Sequence, residues 1–266
     1  MPSTLDLEVQ DHVATVTITS ATMPPAFFHE MRDAFRTIAA DGEVRAVIVR
    51  STAKSFTYGL DLPATFKEHG TLFAGGGATE RMGLRALIED LQDCMNVVYK
   101  CPVPVLAAIH GHCIGGGIDL ICCCDIRLAS ADSKYSVRET RIAIVADLGT
   151  LQRLPAIVGE GHARELALRG CDISAERAAE IALVNHVYPD RESLHKEAQA
   201  MAEEIAANPA LTVRGVKNVM DFGRDHGAQA GLQYVSAWNS AFLASEDLGE
   251  AMAAFLGKRP PEYKGR

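Results

Sequence analysis

Three carboxylates, Asp119, Glu139 and Asp147, share the stretch from His110 to Pro155 with the triplet Gly115-Gly116-Gly117. Glycine lacks a Cβ, so backbone there can approach a ligand closely and turn its N–H groups toward it. The triplet runs into an apolar helical segment, Ile118 to Cys124, and a helix start leaves N–H groups unpaired at its positive end. A cradle for a developing oxyanion is therefore expected within one turn of Asp119, and carboxylates beside it would take and return protons. Each acid also has a structural reading. Asp119 suits the macrodipole of a first helical turn, Asp147 suits an N-cap, and Glu139, between Arg138 and Arg141, suits a solvated strand end. Only convergence of the three would make them a site.

The elements that must position these residues follow from periodicity. Residues 5–10 and 13–19 alternate around Asp11-His12, which predicts a β-hairpin. Residues 26–40 place Phe27, Met31, Ala34, Phe35 and Ile38 on one helical face. A buried strand at 45–51 leads into the loop Ser55 to Leu62, where Gly59 permits close backbone approach. Residues 71–77 read as a mobile loop without the spacing of a phosphate loop. A helix over 80–100 ends at Cys101-Pro102-Val103-Pro104, because proline cannot continue it. Strands are expected at 105–109 and near 125–130 and 134–138, then a helix near 148–157. Beyond Tyr188 four helices are predicted, at 190–207, 211–225, 228–244 and 246–256, broken at Asn208-Pro209 and Gly227. Strands and helices in this order predict an α/β architecture with stacked sheets. The tail is apolar along one side and should pack on the core or on another subunit.

Composition narrows the class. With 48% hydrophobic and 23% charged residues over 266 positions, the chain can bury a sizeable core. A formal net charge of −8 lacks the basic stripe a nucleic-acid surface wants, so no nucleic-acid partner is expected. No run of apolar residues is long enough to cross a membrane and no secretory leader is visible, so a cytoplasmic protein without a membrane partner is expected. The seven cysteines include the adjacent Cys122, Cys123 and Cys124. Helical neighbours point about 100° apart, so they cannot clasp one metal and read as buried thiols. His110 and His112 form an HxH pair with no second ligand pair at a useful spacing, so no metal site is expected.

Lys-Ser-Phe-Thr-Tyr-Gly-Leu-Asp-Leu at 54–62, PVPVLAAIHGHCIGGGIDL at 102–120 and DIRLAS at 125–130 resemble the crotonase, or enoyl-CoA hydratase/isomerase, superfamily, and the resemblance covers nearly the whole chain. GIDL at 117–120, VRE at 137–139 and ADLGTLQRLP at 146–155 look like its Δ3,5-Δ2,4-dienoyl-CoA isomerase branch. The resemblance implies a crotonase-like spiral of ββα units over 1–195 and a C-terminal helical region, 196–266, through which members trimerise. A homotrimer or dimer of trimers is thus expected. It also implies an acyl-CoA thioester as substrate and no separate cofactor, coenzyme A being part of the substrate. Oxyanion-hole N–H groups fall on Tyr58 and Gly116, and acid/base roles on Asp119, Glu139 and Asp147. Phe56, Gly59, Asp61, Leu62, Gly115 and Lys258 fall at substrate-binding positions, with Lys258 or Arg259 toward the coenzyme A phosphates. Two departures stand out. The usual Asn-rich start of the first helix is Ala21-Thr22-Met23-Pro24-Pro25-Ala26, and Tyr58 is bulkier than the residue expected beside an oxyanion hole.

Shifting a 3,5-diene to a 2,4-diene takes a proton from C2 of the thioester and returns one at C6. Separate acid/base groups are wanted for such distant carbons, with Asp147 expected near C2, Glu139 near C6 and Asp119 orienting Glu139. A hydratase, the alternative, needs two carboxylates on one water, and a third acid would be an unnecessary desolvation cost. A weakly active acyl-CoA or protein-binding module is the third reading.

Overall fold

The computed structural model describes residues 3–265. Strands β1 (Leu5–Gln10) and β2 (Val13–Ile18) form the predicted hairpin. Its two turn residues, Asp11 and His12, both take positive φ, 47° and 68°, as a two-residue turn matched to strand twist requires. Helix α1 (Pro25–Ala40) opens on a proline, whose fixed φ suits a first helical position. Then follow β3 (Ala46–Ser51), α2 (Leu62–Ala74), α3 (Ala78–Tyr99), β4 (Val105–Ile109), β5 (His112–Ile114), α4 (Gly116–Cys122), β6 (Ile126–Ser130) and β7 (Lys134–Ser136). A single 3-10 turn, Glu139–Ile142, precedes α5 (Thr150–Val158), α6 (Glu160–Arg169), β8 (Ile173–Ser174), α7 (Ala175–Glu180) and β9 (His186–Tyr188). Four helices complete the chain: α8 (Arg191–Ala206), α9 (Ala210–His226), α10 (Ala228–Phe242) and α11 (Glu246–Gly257).

Two sheets carry the core. The larger has the order β1-β2-β3-β4-β6-β9, antiparallel only at its first pair, and the smaller the order β5-β7-β8. Strand alternation sorts the side chains of the larger sheet. Val47, Val49, Val105, Ala107 and Ile109 face the main core with Phe27, Met31, Phe35, Met95 and Val98 of α1 and α3. Ala46, Ile48, Leu106, Ala108 and Leu128 face the other way, onto Leu194, Ala198, Ala202 and Ala206 of α8. Helix α8 therefore belongs to the sheet's second layer, and the boundary expected at residue 195 cuts through it. The helices beyond the spiral are α9 to α11.

Two expectations need correction. Residues 71–74 are the last turn of α2, so only Gly75-Gly76-Gly77 is loop: Pro63 sits at a tolerated first-turn position, and the single Gly70 weakens the helix without ending it. The strands, β5 and β8, and the helices, α6 and α7, went unpredicted because each is short or lacks a clear apolar period.

Candidate active site

Helix α4 begins where the smaller sheet meets the loop 55–62. Gly115 sits at φ 55° ahead of it, and a Cβ there would lie 3.3 Å from Glu139 Oε1, so the Glu139 carboxylate rests directly on this glycine. Gly117 has no room for a Cβ, which would come within 2.6 Å of Thr57 Cγ2. Glycine at these two places lets the loop, the helix start and the 3-10 turn close on one point.

The loop 55–62 is tied on both flanks. Thr57 N–H donates to His112 O at 2.9 Å, Met23 N–H to Gly59 O at 2.8 Å and Asp61 N–H to Met23 O at 3.0 Å. Tyr58 N–H donates to Ala21 O at 2.8 Å. The expected oxyanion donor is thus already engaged, a correction to the sequence reading. Gly59, at φ 83°, reverses the facing of the chain between Tyr58 and Asp61, so the N–H of Leu60 points away from the Ala21–Met23 segment. Among the described residues Leu60 N–H and Gly116 N–H donate to no protein acceptor. They are neighbours: a Cβ on Gly116 would lie 3.8 Å from Leu60 N, and one on Gly59 would lie 3.4 Å from Gly116 N and only 2.6 Å from Ile114 O. Two free amides converge here, the arrangement an oxyanion wants.

The Tyr58 ring does not fill this point. It stacks on His112 with centroids 5.1 Å apart and its hydroxyl pairs with Ser55 Oγ at 3.1 Å. Phe56 is fully buried in the core. Asp61 caps α2, accepting from Ala64 N–H and from the Thr22 hydroxyl, each at 2.9 Å. The unusual 21–26 segment is thereby fastened to the loop, and Leu62 is the first residue of α2. Lys258, at φ 51°, is an exposed residue ending α11, and no described contact brings it to the carboxylates.

The three acids do come together. Asp119, 2% exposed, accepts from both the backbone N–H and the hydroxyl of Thr150, each at 2.7 Å. It satisfies the start of α5 from another helix, so the expected N-cap role of Asp147 is taken by Asp119. The Asp147 side chain caps nothing, the residue before α5 being Gly149; its carbonyl accepts from Gln92 Nε2 at 2.6 Å. Burial pushes Asp119 up to about 6, with the charge of Asp147 adding and Thr150 and Arg153 opposing. Burial likewise pushes Glu139 up to about 7, with Asp119 and Asp147 both adding. Burial raises Asp147 as well. Glu139 Oε2 is buried without a hydrogen-bond partner, an uncommon state for a carboxylate oxygen and a signal of function. Asp119 makes its hydrogen bonds to Thr150, and acts on Glu139 through its field.

A cavity of about 1290 Å³ lies behind Asp147, between α3, α5 and α9, and is lined in part by Tyr99, Cys123, Arg153 and Arg224. It does not include Glu139 or the glycine triplet, so it adjoins the acid cluster only through the 147–149 turn. Leu60, Thr150, Gln92 and Arg153 escaped the sequence reading. The facing reversal that a glycine at positive φ imposes is the one signal that would have pointed to Leu60.

A family model described as enoyl-CoA hydratase/isomerase matches residues 8–266. The chain is 42% identical to the mitochondrial Delta(3,5)-Delta(2,4)-dienoyl-CoA isomerase of Dictyostelium discoideum over 91% of its length and 83% of that protein's. It is 40% identical to the peroxisomal Delta(3,5)-Delta(2,4)-dienoyl-CoA isomerase of Arabidopsis thaliana, over 89% and 86%. The crystal structure of an enoyl-CoA hydratase from Bacillus anthracis superposes with a TM-score of 0.89 at 30% identity, covering 99% of this chain and all of the other. The mitochondrial and peroxisomal names overturn the expected cytoplasmic placement. Free cysteines, and no helix among the described residues long and apolar enough to cross a membrane, suit any reducing compartment, so they never discriminated among them. The spiral of stacked sheets, the glycine-backed helix start and these matches agree: the chain belongs to the enoyl-CoA hydratase/isomerase family.

Proposed function

We propose that the protein is a Δ3,5-Δ2,4-dienoyl-CoA isomerase. The observation that carries this reading is the cluster of three acids at one point, two of which hold their protons to about pH 6 and about pH 7. The thioester carbonyl lies between the amides of Leu60 and Gly116, which replace Tyr58 and Gly116 as the donor pair. Charge growing on that oxygen as C2 loses its proton is stabilised there, at about 3–4 kcal/mol per donor in comparable sites. Asp147, free of any capping duty, takes the C2 proton. The electron pair delocalises through the diene, and Glu139, protonated in part near neutral pH, gives its proton to C6. The two acids then exchange protons with solvent to reset. Asp119 braces α5 and, by its charge, keeps Glu139 protonated. The proton count closes without a redox or group-transfer partner, so the reaction calls for no cofactor, and coenzyme A enters as part of the substrate.

Turnover of 3,5-octadienoyl-CoA, followed by absorbance of the 2,4-dienoyl product, tests the assignment. Product formation that falls by orders of magnitude in Asp147→Asn supports it. No product with the natural chain, or faster hydration of crotonyl-CoA than isomerisation, refutes it in favour of a hydratase. The region beyond α8 serves as the oligomerisation surface of a homotrimer or dimer of trimers: Met220, Leu232, Leu243, Met252, Phe255 and Leu256, large apolar side chains on these helices, are exposed in the single chain. A monomer in sedimentation at micromolar concentration would contradict that.

A further inference from the structure

Arg153 has no part in the mechanism above, yet its surroundings are unusual for an arginine. Its guanidinium lies over the Tyr99 ring, 4.5 Å from the centroid, and donates to Asn96 Oδ1 at 2.5 Å. It fills the space a Cβ at Gly149 would take, one residue before the Thr150 that Asp119 grips and two after Asp147. Arg224 of α9 also lies against this ring, 5.2 Å from the same centroid, and donates to the Tyr99 hydroxyl. One ring therefore contacts two guanidinium groups, one on the site's own helix and one on α9.

The neighbouring cations are all engaged. Arg224 pairs with Asp221 and Asp225, Lys217 with Asp125 at 2.6 Å, and Arg138 with Asp172. Arg127 donates to the carbonyls of Cys124 and Leu183. Arg141 faces Asp172. The thiols of Cys122 and Cys123, the other titratable groups on this side of α4, are held neutral by burial. Arg153, with no carboxylate within ion-pair distance among the described residues, lies against Gly149 in the turn that carries Asp147 of the acid cluster.

We infer that Arg153 is a positioning residue that supplies the counter-charge of the acid cluster, and that Tyr99, backed by Arg224, holds it there, so that docking of α9 tunes the proton-transfer site. The inference deepens the isomerase reading and rests on it for its effect on turnover. Arg153 favours the ionised form of Asp119, consistent with the opposing influence noted there. Taking it away makes the cluster hold its protons to higher pH. In Arg153→Met the acid limb of the kcat–pH profile moves up, by about one unit, so activity falls about tenfold at pH 6 and recovers toward pH 8.5. Arg153→Lys keeps the charge and restores most of the profile. Tyr99→Leu and Arg224→Met, which touch no carboxylate of the cluster, shift it the same way but less.

The closing experiment pairs those profiles with a 13C-carboxyl NMR titration of the unliganded protein, which needs no turnover. Upward midpoints for the cluster in Arg153→Met and Tyr99→Leu support the inference even if dienoyl-CoA proves not to be the substrate. Unchanged midpoints in folded variants, or a loss of rate uniform across pH that lysine does not rescue, overturn it while leaving the isomerase assignment standing.

Discussion

Replacing Glu139 by Gln should stabilise the protein, by an amount that grows as pH rises. Glu139 is raised from its ordinary 4.5 to about 7, by burial first and by Asp119 and Asp147 next. A carboxyl raised in the folded state contributes its full share to stability below the unfolded value, and that share is lost as pH rises through the folded value. The window runs from about pH 4.5 to about pH 7. The rise from 4.5 to about 7 corresponds to about 3.4 kcal/mol; partial exposure and screening reduce this to roughly 1.5 kcal/mol. Gln has no charge to desolvate, so its advantage over Glu is small at pH 5 and complete by pH 8.5. At about 2.1 cal/mol/K per residue, 266 residues translate 1.5 kcal/mol into about 3 °C of melting temperature. Calorimetry of both proteins from pH 5 to pH 9 measures it. An equal increment at every pH, or destabilisation at pH 8.5, would refute the reasoning that the site stores the cost of a buried charge. Isomerase activity should vanish in the same variant, the trade expected when a functional group opposes stability.

Two further predictions separate structural from chemical roles. Asp119→Ala leaves the Thr150 N–H and hydroxyl buried without their acceptor and should cost about 2–4 kcal/mol in denaturant unfolding, whereas Asp119→Asn keeps an acceptor oxygen, costs less, and moves the alkaline limb of activity down because the field that keeps Glu139 protonated is gone. A backbone amide-to-ester replacement at Leu60 should lower kcat by about 10²–10³-fold with little change in melting temperature; the same replacement at Tyr58, whose N–H bonds to Ala21 O, should instead lower stability and spare most of kcat, and the reverse pattern would restore Tyr58 as the donor.

Much was legible without coordinates, because it depends on local physics. The Asp11-His12 turn, the apolar face of α1 and the stop at Pro102 follow from dihedral preference and periodicity over a few residues, and the structure repeats them. The resemblance of 102–120, 137–139 and 146–155 to one family named the three acids. Their duties were a different matter. Which carboxylate braces α5 depends on where α4 lands beside Thr150, a contact between residues 31 positions apart, and no local preference separates Asp119 from Asp147 for that task. Which amide is free depends on partners from outside the loop, Ala21 and Met23, that occupy Tyr58 and Asp61 and leave Leu60. The contact of Tyr99 with both Arg153 and Arg224 joins three helices distant in sequence. Residue types and spacing determine which groups can do chemistry; packing across the fold decides which of them stay uncommitted, because every buried donor and acceptor must first find a partner.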